Sequence, residues 1–414
     1  MRRKYSLGWT VSSECLLFAF AVVGYLEKIH DLYNLVMVLD AVLAVFSFFF
    51  VILWFFLNRE YYRNPVSTSL TVMTLVILVS SVVGGSDSTR LMVAAFALLE
   101  SWAVAVAVIV LKRQLQSILV PVYAFIIAFS VFYSIMSLVM GIESGETRYN
   151  GLSNQTNSLA VVAASSLIIS LSMMGRKKGI ISTVTANIAL LLSSLLFAYT
   201  LKMTDSRTSY FALITALCFF LVFSLLHSRN RLSVILVSIV AVAAIGVTVV
   251  YLLSSSRSMR SETLASLTSG RTTIWTETLS RMEAEEYLFG FGGNSEGMTL
   301  ALEERGMSRT LAEYLGEKHL MHNIYIQFIV EYGIVSAVSF TFGVIFLFIS
   351  SFGTMRQERE SVCCVLPSSV LMIFFLIHAT AESSIYFIGG SEQILFILSS
   401  AVVYSFYRER RMEK

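Results

Sequence analysis

The sequence predicts an all-α integral membrane protein of about twelve transmembrane helices, with one large extracytoplasmic loop that contains short amphipathic helices. Three observations carry that prediction. The 414 residues are 56% hydrophobic and only 14% charged, with three prolines, which is more apolar side chain than a soluble fold can hide. The mean hydropathy of +0.75 is concentrated in stretches of about 20 apolar residues, long enough to cross hydrocarbon while pairing every backbone N–H and C=O within one segment. Lys and Arg, finally, are sorted unevenly around those stretches.

In order, the apolar stretches are roughly 10–29, 33–57, 66–85, 90–111, 117–140, 157–174, 180–200, 209–227, 232–253, 334–352, 362–380 and 391–407. Cations near span ends prefer the cytoplasmic side. With the N-terminus inside, eighteen of the thirty Lys and Arg residues fall in cytoplasmic segments, namely "MRRK", "NREYYRN", "LKRQ", "GRKKG", "HSRNR", "RQERE" and the tail "YRERRMEK". The short outer loops hold only Lys28, Arg90, Arg148, Lys202 and Arg207. The other seven lie in a long outer loop, 254–322, between spans nine and ten, and long loops cross regardless of charge. Residues 1–414 thus read as a single polytopic membrane domain with both termini cytoplasmic. "MRRK" followed by an apolar run resembles a signal peptide, and Ala19-Phe20-Ala21 could pass for a cleavage site, but the run continues and eleven spans follow. It reads as the first span.

Cys15, Cys218, Cys363 and Cys364 all fall inside spans without CxxC spacing or His partners, so neither disulfides nor a metal site is expected. No internal repeat is visible, which disfavours transporters built from duplicated halves. The net charge of +3 loses meaning once the charges are sorted by side, and no nucleic-acid partner is expected.

Polar residues converge on the outer face in four stretches. "TRYNGLSNQTNSLA", 147–160, supplies Arg148 and the amides Asn150, Asn154, Gln155 and Asn157. "TDSRTS", 204–209, puts Arg207 at the mouth of span eight. Gly270 and Arg271 precede a helix over about 272–286, in which Ile274, Trp275, Thr278, Leu279 and Met282 form one apolar stripe while Glu277, Arg281, Glu285 and Glu286 face away. "LFGFGG" ends that helix with glycines able to take positive φ. "HNIYIQFIVEYG", 322–333, carries His322 and Asn323 at its head. From His322 to Phe352 the chain makes about 46 Å of helix at about 1.5 Å per residue, against roughly 30 Å of hydrocarbon, so Glu331 and Gly333 are expected to mark a bend into span ten.

Each feature also has an ordinary reading. A single outer Arg more often snorkels to headgroups than binds a ligand, a lone interfacial His is commonplace, and Trp275 more often packs on protein. Glu100, near the middle of span four, is an ionisable residue at membrane depth and reads equally as functional or as a hydrogen-bonded structural group.

In order, spacing and membrane side, the four stretches resemble the O-antigen ligase and polysaccharide polymerase superfamily, membrane glycosyltransferases that act on lipid-linked sugars at the outer face of the bacterial cytoplasmic membrane. The resemblance runs over roughly residues 145–390. It rests on "RYNGLSNQTNSLA", "DSR", "GR" followed by Trp275, "GFGG", and "HN" followed by Tyr325 and "EYG". Gln155-Thr156 departs from it, standing where the family usually has a Pro.

The resemblance implies transfer of a glycan from undecaprenyl diphosphate to a hydroxyl acceptor, in capsule, exopolysaccharide or O-antigen synthesis of the cell envelope. The leaving diphosphate needs positive charge. No Asp-x-Asp pair stands in an outer loop, so no cofactor or metal is expected, and Arg148, Arg207 and Arg271 are the candidates to hold phosphate oxygens in bidentate fashion. His322 is the candidate general base, with His319 close by. Asn154, Asn157, Trp275, Asn323 and Glu331 are the candidate substrate contacts, and Glu331 and Glu382 could orient the base or bind sugar hydroxyls. The amphipathic helix reads as a lid over the donor. A polymerase is favoured over a ligase because ligases are the smaller share of such chains; a lipid-linked sugar flippase is the reading from another class. A chain-length regulator and a flippase of the same pathway are the implied partners.

Overall fold

The computed structural model describes residues 7–26, 28–29, 32–57, 102–108, 115–144, 149–153, 155–174, 180–227, 271–292, 295–309, 311–312, 321–355, 362–382, 392 and 395–403, with scattered positions between 75 and 99 and at 110–111. Among these residues the structure is helical, with no strand. Its elements are α1 (Leu7–Leu26), α2 (Tyr33–Leu57), α3 (Leu115–Ser144), α4 (Thr156–Met173), α5 (Ile180–Thr204), α6 (Arg207–His227), α7 (Arg271–Arg281), α8 (Ala284–Phe289), α9 (Ser295–Glu304), α10 (Ile324–Met355) and α11 (Val362–His378). Six described helices, α1 to α5 and α10, are long and apolar enough to cross a membrane; α6 and α11 contribute shorter apolar stretches. The expected spans 66–85 and 90–111 lie mostly outside the described residues, as does 232–253 entirely, so twelve spans and the extent of the outer loop remain a reading of the sequence. Glu100 also lies outside them.

Helix α4 is the centre of the bundle. From Leu159 to Ser170 every residue is buried, as expected of a helix apolar on all sides. Its Ala and Ser residues let neighbours approach closely, and two of the serines bond nearby: Ser165 donates to the Val161 carbonyl (2.8 Å) and Ser166 to Ser130 on α3 (2.7 Å). By contrast α2 exposes Val38, Val42, Val45, Phe49 and Leu53, and α5 exposes Ile188, Leu192 and Leu195. Apolar faces of that extent would be a liability in water and suit contact with lipid. The chain is a helical membrane protein.

The polar segment 271–312 has a core of its own. Met282, Phe291, Met298, Leu302, Met307 and Ala312 pack with Met321 and Val330, and the stripe of Ile274, Trp275 and Leu279 lies against them. The amphipathic helix expected over 272–286 is divided. It breaks at Met282 and Glu283, because Glu283 and Glu286 form a reciprocal capping box that starts α8 anew. Glu286 does not face away: it pairs with Arg305 at 2.5 Å.

The bend in α10 is where the sequence places it, at Gly333 (φ 77°, ψ 171°). It removes helical partners from the preceding carbonyls, which find others: Phe291 N–H donates to Val330 O and Gly292 N–H to Glu331 O, both at 2.8 Å, and the Ser80 hydroxyl donates to Tyr332 O at 2.8 Å. The two backbones cross so closely that only glycine fits. A Cβ on Gly290 would lie 2.3 Å from the Glu331 carbonyl carbon, and one on Gly333 would lie 1.9 Å from Leu288 O. "GFGG" and "EYG" are therefore two halves of one joint.

Candidate active site

Helices α4, α6, α7 and α10 each bring their N-terminal end to one place, beside the turn that follows α11. Four partial positive charges therefore converge there. Glu382, on that turn, is buried and serves as the hub. Its Oε1 accepts from Asn157 Nδ2 at the start of α4 and from Arg271 Nη2 at the start of α7, both at 2.6 Å. Its Oε2 lies 3.0 Å from His322 Nδ1. Arg271 Nη1 also donates to the Ala381 carbonyl. Burial alone would raise the Glu382 carboxyl, but the His322 hydrogen bond and the charges of Arg271, His322 and His378 outweigh it and hold the group below the usual glutamate range. Glu382 is thus an anion at neutral pH. An anion only accepts, so the His322 contact is Nδ1–H donating to Oε2, which places the ring's lone pair on Nε2.

The backbone holds His322 in an unusual conformation. His322 (φ 50°) and Asp205 (φ 49°) are the non-glycine residues of positive φ among those described, and both belong to the stretches singled out by sequence. Such strain persists where the surroundings over-determine it. On one side of His322 the Trp275 indole N–H donates to Met321 O at 2.5 Å, and Met321 N–H donates to Gln327 Oε1 at 2.7 Å. Gln327 in turn donates from Nε2 to Glu331 Oε1. On the other side, Asn323 caps α10 by accepting from Tyr325 N–H (3.0 Å) and Ile326 N–H (3.2 Å), and its amide donates to Thr380 O at 2.9 Å.

Several expected substrate contacts are therefore engaged with protein. The Asn157 amide bridges Glu382 and Ser206, whose hydroxyl donates to Asn157 Oδ1 at 2.9 Å. Trp275 packs on the loop core and bonds Met321, while Glu331 is buried against Gln327. Arg207 is exposed at the start of α6, and its side chain makes no hydrogen bond or ion pair with another described residue. Arg148, Asn154 and His319 lie outside the described residues. Among the described residues, no three His, Cys, Asp or Glu side chains stand together as a metal site requires.

Sequence reasoning left Glu382 without a definite role, and it missed Ser209 and His378. The signal for Glu382 was topological: on the twelve-span reading it falls in a short outer loop between spans eleven and twelve. Ser209 closes the polar stretch 204–209 with nothing to set it apart from its neighbours, and His378 is an imidazole within an apolar run.

No curated protein matches the chain. Residues 188–341 match a family model described as O-antigen ligase. That segment holds Arg207, Arg271, Trp275, His322, Asn323 and Glu331, while Asn157 and Glu382 lie outside it. The match, falling on the segment that supplies the base candidate and two of the arginines, supports assigning the chain to the O-antigen ligase and polymerase family of membrane proteins.

Proposed function

We propose that the chain is a metal-independent glycosyltransferase of the bacterial cytoplasmic membrane, with both termini in the cytoplasm and its site on the outer face. The donor is an oligosaccharide on undecaprenyl diphosphate and the acceptor is a second lipid-linked repeat unit, so that the product is capsular or O-antigen polymer. The observation that carries the reading is the His322–Glu382 contact of 3.0 Å, set among convergent helix N-termini with Arg271 on the same carboxylate.

The chemistry balances as a single displacement. His322 Nε2 takes the acceptor hydroxyl proton while the oxygen attacks the anomeric carbon, and the bond from that carbon to the phosphate oxygen breaks. The diphosphate leaves with the electron pair. Arg207, Arg271 and Arg148 are the guanidinium groups proposed to take up the growing charge, which such groups bind in bidentate fashion. Glu382 stabilises the imidazolium that forms. A chain-length regulator and a flippase of the same pathway are the proposed partners.

A ligase is the second reading, favoured by the description of the matched family. One assay separates the readings. Purified protein given only a lipid-diphosphate-linked repeat unit should build a ladder of lipid-linked oligomers, and His322→Ala should abolish the ladder, a loss on the order of 10²–10⁴ in rate. A ligase leaves that unit unextended until lipid A core or another acceptor is added. A flippase produces no chemical change at all. A His322→Ala protein that still makes full-length polymer would end the proposal.

A further inference from the structure

Behind Glu382 a file of hydrogen bonds runs into the bundle. Asn157 Nδ2 meets Glu382 Oε1 at 2.6 Å, Ser206 Oγ meets Asn157 Oδ1 at 2.9 Å, Ser209 Oγ lies 3.1 Å from Ser206 Oγ, and His378 Nε2 lies 3.1 Å from Ser209 Oγ. The last three of these partners, Ser206, Ser209 and His378, are all buried.

The direction of every link follows from one end. Glu382 as an anion donates nothing, so Asn157 must turn its NH₂ to the carboxylate and its oxygen to Ser206. Ser206 has one hydroxyl proton, and the Asn157 oxygen needs it. Ser206 is also placed to donate to Ser209 at 3.1 Å, but with its single proton on the shorter 2.9 Å bond to Asn157, Ser209 is the donor across this contact. With that proton used, Ser209 accepts from His378, which must carry hydrogen on Nε2. The whole file points its donors at Glu382. An apolar ring at 378 could stack on Phe374 as His378 does (centroids 5.7 Å apart), and a buried polar file is costly unless every member is satisfied. The site's demand on Glu382 explains why the file exists.

We propose that His378 is a positioning residue: its Nε2–H anchors a one-way chain through Ser209, Ser206 and Asn157 that holds Glu382 on the Nδ1–H of His322. The inference rests on the proposed role of His322 as base and adds to it a residue on α11 that touches neither substrate nor His322.

The test uses the purified full chain, a lipid-diphosphate-linked glycan donor, and the variants His378→Phe, His378→Gln and Ser209→Ala beside His322→Ala. The charged and titratable groups on the Glu382 carboxylate are Arg271, His322 and His378, and Arg271 is left intact throughout. His378→Phe and Ser209→Ala should each lower kcat about tenfold, the scale for losing a supporting hydrogen-bond partner, with the donor KM unchanged. The acid limb of the pH profile should move to lower pH, because a loosely held Glu382 stabilises the His322 imidazolium less. His378→Gln, whose amide N–H reaches the place of Nε2–H, should restore much of the rate. Wild-type kcat and an unmoved limb in His378→Phe and Ser209→Ala overturn the inference, as does an equal loss in Phe and Gln variants with no movement of the limb. Ser209→Ala removes a single oxygen and keeps the test open where His378→Phe does not fold. An active His322→Ala refutes the proposed function itself; an inactive one beside a normal His378→Phe refutes this inference alone.

Discussion

Replacing Glu382 by Gln tests the site at its hub, and the structure fixes the magnitude. The contact between His322 Nδ1 and Glu382 Oε2 is 3.0 Å, and the two side chains are only 20% and 11% exposed. When His322 takes the acceptor proton, its charge stands about 4 Å from the carboxylate. At an effective dielectric of about 20 that attraction is about 4 kcal/mol, or about 10³ in rate. The amide does more than remove the charge. Asn157 and Arg271 both donate at the Oε1 position, so the oxygen of the introduced amide must lie there and its NH₂ must face His322 Nδ1. A donor at that point forces the imidazole proton onto Nε2, the atom that has to be the base. The template for such an error is the Ser-His-Asp triad, in which exchanging the carboxylate for its amide costs about 10⁴.

Glu382→Gln should therefore lower kcat on the order of 10³–10⁴ with little change in donor KM. The assay is ladder formation, or release of polyprenyl diphosphate, by purified protein at saturating donor across the neutral pH range. Higher pH should not restore the rate, since the fault is a tautomer and not a protonation. Glu382→Asp keeps the charge at a shorter reach and should retain more activity than the Gln variant. A Glu382→Gln rate within tenfold of wild type, or one recovered at higher pH, would refute the reasoning.

Arg207→Ala should cut the transfer rate at least tenfold and Arg207→Lys should recover only part of it, because an ammonium keeps the charge and loses the paired geometry; equal rates for Lys and Arg would remove the bidentate role. Gly333→Ala and Gly290→Ala should each lower stability by about 3 kcal/mol or more, since backbone atoms within 2.3 Å cannot yield and φ is positive, as read by thermal unfolding in detergent. Gly306 also has positive φ but open space around it, so Gly306→Ala should cost only about 1 kcal/mol. The depressed Glu382 carboxyl contributes stability that is present above the ordinary glutamate value of 4.5 and lost as pH falls through its lower folded value. The thermal gap between wild type and Glu382→Gln should accordingly be open at neutral pH and close only in acid below that value. Transfer should persist in excess chelator; activity that vanishes and returns with Mg²⁺ or Mn²⁺ would contradict the metal-independent reading.

The membrane class was legible because composition and run length are additive properties that tertiary contacts do not alter. The bend at Gly333 was legible for a similar reason: a helix longer than the hydrocarbon is thick must turn, and one glycine stood in the right place. The division of labour inside the site was not. Asn157 looked like a substrate contact, yet its partner is a carboxylate 225 residues away. Trp275 was another candidate substrate contact, yet its N–H fixes the carbonyl of Met321 and so the left-handed corner at His322. Sequence order shows which segments can meet on one side of a membrane; it does not show which polar groups will satisfy one another there. A charged or amide side chain near a site therefore counts as a substrate contact only after its protein partners are known. By that criterion Arg271, Asn157, Trp275 and Glu331 support His322 and Glu382, and Arg207, exposed at the start of α6, is the described cation best placed to meet the proposed diphosphate.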